Sequence, residues 1–362
     1  MSLIQLSPPT HRLPLDLLAA PGGFVWWYFD AVDAQGNGAV VIWAWGLPFL
    51  PGYASASRKG FPELPAARPS VNVVFYRDGK EDFYLLQEYA ADRARWDGDS
   101  TWHLGDSRFH SYVEGDQRVL EIDLDLDVPA YAEKLRGSIR MQGPARQSAS
   151  NESANPDHDW SPLAGPAQAW VSASHGDQKW EFSGRGYHDR NGGRVPMHDQ
   201  GIREWIWGRI PFKGFERIFY LTWPHSGDPE FQGLDILNDG TTRQSQPLRV
   251  EIDHRQQSLA GPTYPRSIRL LHGDTIWMKI EVKHVLDEGP FYLRFMVDGH
   301  AEGQSARGIS ELMLPDKIDT NMMRPLVRMR IHQAQAKNSI WLPLFCGPKA
   351  GRVGRLLSSW VR

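Results

Sequence analysis

The chain has 362 residues, enough for two domains or for one large β architecture. Charged residues make up 23% and the formal net charge is -3, which excludes a general electrostatic attraction for nucleic acid. Its single cysteine, Cys346, excludes an intramolecular disulfide and any cysteine-built zinc or iron-sulfur centre, and is expected to be an inert core thiol.

In chain order, the stretch Met1-Ser2-Leu3-Ile4-Gln5 has no basic region followed by an apolar one, so no secretory signal is expected. Trp26-Trp27-Tyr28-Phe29-Asp30 alternates as a strand, with Trp26, Tyr28 and Asp30 on one face and Trp27 and Phe29 on the other; one of these sets is plain core. The apolar run from Ala39 to Leu50 is too short and too aromatic for a membrane span and contains Pro48, so a soluble, cytoplasmic protein is expected. Within it, Trp43 and Trp45 read as barrel filling. Short β-branched and aromatic runs predict strands at 38–45, 71–76, 118–126 and 134–141. From Val119 to Leu126 apolar and acidic residues alternate, which describes a strand with one buried and one wet face.

A Ser-, Asn-, Ala- and Pro-rich stretch from Gln142 to Pro156 predicts a mobile loop, and in a cytoplasmic protein its Asn151-Glu152-Ser153 sequon has no meaning as a glycan site. The loop leads into His158-Asp159-Trp160, then a strand-like run at 178–183 and the polar stretch Gly184-Arg185-Gly186-Tyr187-His188-Asp189-Arg190-Asn191-Gly192-Gly193. Alternation puts Tyr187 and Asp189 on one surface and His188 on the other, His158 with Trp160, and Trp205 with Trp207. Further strands are predicted at 218–223, 248–252, 267–271, 275–282 and 291–297, and helical periodicity is scarce. The chain therefore reads as all-β, in two successive antiparallel barrel or sandwich units, 1–200 and 201–362, divided after a Gly192-Gly193 turn. For the tail Lys349 to Arg362, with Arg352, Arg355, Leu356, Leu357 and Trp360, two readings stand: a basic amphipathic element in peripheral contact with lipid, and, favoured by priors for chain ends, a terminal helix or strand docked on the second unit.

The chemistry is narrowed by what is missing. Gly184-x-Gly186 is followed by Asp189 where a dinucleotide fold would need its third glycine, and no apolar helix follows. His188, Asp189, His198 and Asp199 lack metal-ligand spacing, and no G-x-S-x-G elbow occurs. No metal and no cofactor is therefore expected. Proton chemistry remains. Fifteen tryptophans must line interior surfaces, and a carboxyl group sunk among them resists ionisation, so it can protonate a carbon-carbon double bond while indole faces stabilise the cation. On local sequence alone the plainer reading is the stronger: Asp189 caps the Gly192-Gly193 turn and Tyr187 packs in the core.

These same motifs resemble the carotenoid 1,2-hydratase (hydroxyneurosporene synthase) family and its AttH-like, lipocalin-like relatives. The likeness rests on Gly22 to Ala31, on Val71-Asn72-Val73 before Tyr76, on Gly184 to Gly193, on Trp205-Ile206-Trp207-Gly208-Arg209, and on Gly289-Pro290-Phe291-Tyr292 with Ser310-Glu311 beyond. The resemblance implies paired lipocalin-like domains and cofactor-independent addition of water to a terminal isoprenoid double bond. By motif it implies Asp189 as catalytic acid, Tyr187 two residues before it, and the upstream pair His158 and Trp160. Trp160, Trp205, Trp207, Trp26 and Tyr28 are then expected around a hydrophobic isoprenoid substrate, with His158 and Tyr187 tuning the acid or handling water. Gly192 stands where many relatives have Trp or Ala, and is expected to reshape the pocket. If water is excluded, the same cation cyclises. The rival reading is a lipocalin-type pericyclase or carrier, in which the aromatic pocket matters and Asp189 does not.

Overall fold

Both faces of the strand Phe24–Val32 are apolar, so neither can be left to water. Trp27, Phe29 and Ala31 enter one core and Tyr28 another, and this double burial sets the architecture. The structure is a computed structural model whose described residues are 3–148, 157–245, 248–333 and 337–360. Its first sheet is ordered, by residue range, 331–333, 80–88, 69–77, 38–45, 24–32, 178–193, 167–175, 135–144, 117–126, 107–114, 101–104 and 94–97. This sheet curls round a core that includes Trp27, Trp43, Trp45, Trp102 and Phe109, so Trp43 and Trp45 do fill its interior.

The second sheet is ordered 242–244, 230–237, 215–224, 202–212, 304–313, 292–301, 275–288, 267–272 and 249–252. It curls round its own core, to which Ile206, Ile210 and Phe219 belong. A third cluster lies between the sheets, with Tyr28, Ile42 and Tyr187 from the first and Trp205, Trp207 and Tyr220 from the second. A wholly buried ion group also crosses this interface: Arg209 bonds Asp30 of the first sheet and, at 3.2 Å, Glu216 of the second. The chain is all-β in two curled sheets.

Three features depart from the sequence reading. Gly192 and Gly193 make no turn; they end the 16-residue strand Gln178–Gly193. A Cβ on Gly193 would sit 2.1 Å from the Asp157 carbonyl oxygen, so glycine serves the close approach of another segment rather than chain reversal. The expected loop begins late: Gln142, Gly143 and Pro144 belong to the strand Leu135–Pro144, and the Asn151 sequon lies outside the described residues. Nor do all residues beyond 200 join the second sheet. Ile331–Gln333 pairs parallel with Lys80–Glu88, and Gly347–Pro348 pairs antiparallel with the same strand.

The tail forms a helix, Arg352–Trp360, with Leu356 buried and Arg352 bonded to Glu81 at 2.8 Å, while Val353 and Leu357 are exposed. The side chains of Arg355 and Trp360, and all of Arg362, lie outside the described residues. No helix among the described residues is long and apolar enough to cross a membrane. Cys346 is buried, and burial pushes its thiol up to about 12.

Candidate active site

Period-two alternation builds the site. In the strand Gln178–Gly193, Tyr187, Asp189 and Asn191 point toward the second sheet, whereas His188 points into the first core, its Nδ1 2.8 Å from the Tyr28 carbonyl oxygen and its ring 5.6 Å from Phe109. The strand Asp159–Pro162 pairs with the end of this one, Trp160 opposite Asn191 and Pro162 opposite Asp189. That register brings Trp160, and His158 two residues earlier, to the face of the acid. Asp189 Oδ2 accepts hydrogen bonds from Tyr187 Oη at 2.8 Å and Trp160 Nε1 at 3.0 Å. Asn191 Nδ2 donates to Asp189 Oδ1 at 3.1 Å.

The network continues away from the acid. Asn191 Oδ1 accepts from Tyr220 Oη at 3.2 Å and lies 3.2 Å from His158 Nε2, and His158 Nδ1 lies 3.0 Å from Gln200 Oε1. Gln200 Nε2 donates to the carbonyl oxygens of Asp157 at 2.8 Å and Val195 at 3.1 Å. Aromatic rings close the space. Trp207 stands 5.2 Å from Tyr28 and 5.4 Å from Tyr187, Trp205 stands 5.8 Å from His158, and Trp160 meets Tyr220 at 5.0 Å. Trp26 sits at the flank, stacked on Phe24 at 5.0 Å with the His158 ring 6.0 Å away.

Burial governs the electrostatics. Asp189 is 2% exposed, and burial pushes its carboxyl up to about 8 against the opposing bonds from Tyr187 and Trp160, with the negative charges of Glu311 and Asp30 adding to the rise. Burial lowers His158 to about 4 against its bonds to Gln200 and Asn191. Tyr187, Tyr220 and Tyr28 are raised well above the ordinary tyrosine value, again chiefly by burial. Burial thus favours the neutral form of both groups, the imidazole of His158 and the carboxylic acid of Asp189.

A lane leads out from the acid. Strand register places Asp189, Tyr28, Ile42, Asn72 and Leu86 in one row across five neighbouring strands, which spans roughly 19 Å at the usual strand spacing. Beyond Tyr28 this row borders a small cavity, partly open to solvent, lined by apolar side chains that include Ile42, Leu47, Phe49, Leu86 and Phe291. Asn72, Arg294, Arg330 and Asp287 supply its polar patch. Asn72, Gly289, Pro290, Phe291 and Tyr292, all from motifs that carried the family likeness, meet at this cavity although more than 200 positions separate Asn72 from the others.

The fold thus brings together Asp189, Tyr187, Trp160, His158, Trp205, Trp207 and Tyr28, with Trp26 beside His158. Asn191, Gln200 and Tyr220 were not legible as members. Parity with Asp189 is the one signal that points to Asn191; the other two carry none. Position 192 does not border the pocket: a Cβ there would meet Leu17 Cδ1 at 2.6 Å, on the opposite face. His188, Asp189, His198 and Asp199 form no metal-holding group among the described residues.

The chain is 28% identical over 367 residues to a protein of Chlorobaculum tepidum named hydroxyneurosporene dehydrogenase, covering 93% of each chain. It is 25% identical to the acyclic carotenoid 1,2-hydratase of Thiocapsa roseopersicina, over 90% of this chain and 76% of that one. Among solved structures, a putative AttH of Nitrosomonas europaea superposes with a TM-score of 0.59 at 15% identity, covering 80% of this chain and 92% of that one. CghA with Sch210972 gives 0.57 at 12% identity, covering 87% and 96%. These two likenesses establish the lipocalin-like fold. The family model described as carotenoid hydratase CrtC matches residues 41–339, and the chain belongs to that family.

Proposed function

We propose that this protein adds water to a terminal isoprenoid double bond of an acyclic carotenoid, with Asp189 as the proton donor. The observation that carries this reading is a fully buried carboxyl group, held by Tyr187, Trp160 and Asn191 within a shell of aromatic rings. The carotenoid substrate class comes from the family and from relatives named acyclic carotenoid 1,2-hydratase.

In the first step the Asp189 O–H bond breaks and the alkene π pair forms a new C–H bond at the less substituted carbon. The tertiary cation left on the neighbouring carbon faces indole and phenol rings, each worth on the order of 1–2 kcal/mol when desolvated. The carboxylate that forms keeps the Tyr187 and Trp160 donors on Oδ2, which are in place before charge develops. Water then adds through its oxygen, and its surplus proton returns to Asp189. The cycle balances without an oxidant, a reductant or a second acid. The rest of the polyene chain lies along the Ile42–Asn72–Leu86 row, with Tyr28 between the cavity and the acid.

The test is turnover of an acyclic carotene in heavy water. One deuterium is expected at the carbon beside the new hydroxyl-bearing carbon, and Asp189→Asn should abolish the product. Product without deuterium, or full activity in the variant, would leave a carrier or pericyclase that only orients its ligand.

A further inference from the structure

We propose that Asn191 is a positioning residue whose amide can face two ways, and that Gln200 and His158 use it to hold Asp189 in its protonated form. The use of that protonated form as an acid rests on the function proposed above; the chain of bonds itself rests on geometry.

The argument runs inward from two backbone carbonyls. Both amide N–H groups of Gln200 are spent on the oxygens of Asp157 and Val195, so Gln200 Oε1 is fixed toward His158 as an acceptor only. His158 Nδ1, 3.0 Å away, must therefore carry a hydrogen. A neutral imidazole has one N–H, so Nε2 then presents a lone pair to Asn191 at 3.2 Å. Two acceptors would face each other unless Asn191 turns its NH₂ to that lone pair. The turned amide brings its oxygen to the place that Nδ2 holds in the structure, 3.1 Å from Asp189 Oδ1, and two oxygens so placed need a proton between them. That proton is the acid's.

The orientation in the structure places the Asn191 oxygen toward His158 and its NH₂ toward Asp189, and it satisfies His158 only as the imidazolium, with Asp189 accepting as the carboxylate. Beyond the hydrogen fixed on Nδ1, His158 and Asp189 thus share one proton, and the orientation of Asn191 records which of them has it. Tyr220 Oη, 3.2 Å from Asn191, fits both orientations because a hydroxyl can donate or accept.

The surroundings favour the neutral arrangement. His158 is wholly buried, and the rings of Phe24, Trp26 and Trp205 flank it, with no charged side chain among the described residues bonded to it. Asp189 meets Tyr187, Trp160 and Asn191 directly, with Tyr220 one link away and the negative charges of Glu311 and Asp30 beyond. Burial lowers His158 to about 4 and raises Asp189 to about 8, in the same sense.

The experiment is nitrogen-15 NMR of the imidazoles in the full chain, with His158 assigned by loss of its signals in His158→Gln. The wild-type protein at neutral pH should show the Nδ1–H tautomer of His158. Asp189→Asn should keep that tautomer, because a side-chain N–H at position 189 replaces the acid's O–H toward Asn191. Gln200→Leu removes the anchoring acceptor, so His158 should change to the Nε2–H tautomer. Asn191 can then donate to an ionised Asp189, and the alkaline limb of the kcat profile should move to lower pH although residue 200 does not touch Asp189. An Nε2–H tautomer or an imidazolium in the wild-type protein overturns the proposal, whether or not the variants fold. So does an unmoved limb in a folded Gln200→Leu. Failure of the acid reading would appear instead in the deuterium experiment and would leave the tautomer unchanged.

Discussion

Asp189→Asn should stabilise the protein while removing its activity, and the size of the stabilisation follows from burial. An asparagine there can accept the Tyr187 and Trp160 bonds on its oxygen and donate its amide toward Asn191, so it copies the protonated acid. The wild-type carboxyl has a folded value of about 8 against about 3.9 in the unfolded chain, so the raised group favours folding fully below about pH 4 and loses that contribution as pH rises to about 8. Near pH 7 the difference amounts to about 4 kcal/mol, an order-of-magnitude figure from about three pH units at 1.36 kcal/mol each. Urea unfolding of both proteins between about pH 4 and pH 8 reads it directly. The two should be nearly equally stable at the acid end, with the variant gaining steadily toward pH 8. Turnover should fall on the order of 10²- to 10⁴-fold, the usual share of a general acid. A stability difference that does not change with pH would refute the claim that this carboxyl is held protonated by the fold.

Three further outcomes follow from the same geometry. The rate of the wild-type enzyme should fall as pH rises through about 8, since the acid must carry its proton; a pH profile that stays flat to about pH 9 would contradict this. Arg209→Met leaves Asp30 and Glu216 buried without their shared cation and should cost roughly 3–5 kcal/mol in chemical denaturation, whereas loss of a mere surface pair would cost under about 1 kcal/mol. Ile42→Trp fills the cavity one row position beyond Tyr28 and should raise KM for a long acyclic carotene by roughly tenfold or more, while a short isoprenoid alkene that reaches only Asp189 is affected far less.

How much of this was legible depended on whether the relevant neighbour was local. Period-two alternation correctly separated Tyr187 and Asp189 from His188, Trp27 and Phe29 from Tyr28, and Trp205 and Trp207 from Ile206, because a strand imposes those faces on any sequence. Gly192-Gly193 was misread because paired glycines usually signal a turn, while here the cause is non-local: the Asp157 carbonyl passes where a Cβ at 193 would stand. The same parity rule places position 192 against Leu17, away from the pocket, once the stretch is read as strand. Gln200 and Tyr220 join the site only through the packing of other segments, Gln200 by its bonds to Asp157 and Val195 and Tyr220 from the second sheet. The pairing of residues 331–333 and 347–348 with the first sheet likewise has no local signature.

The acid depends on both halves of the chain. Its hydrogen-bond partners, Tyr187, Trp160 and Asn191, belong to the first sheet, but the side chains that close over them, Trp205, Trp207 and Tyr220, come from the second. A carboxyl left open to water on the first sheet alone would ionise near its ordinary value of about 3.9 and would have no proton to give at neutral pH. The ion group that crosses the interface contributes to the same end. Asp30 lies opposite Tyr187 in the strand register, next to the Asp189 row, and two carboxylates share the single guanidinium of Arg209. Burial raises Glu216 to about 7, and the charge of Asp30 reaches both Glu216 and Asp189. An ionised Asp189 would be a further buried anion in a region where Arg209 is already shared, so the contact that joins the sheets also disfavours loss of the acid's proton.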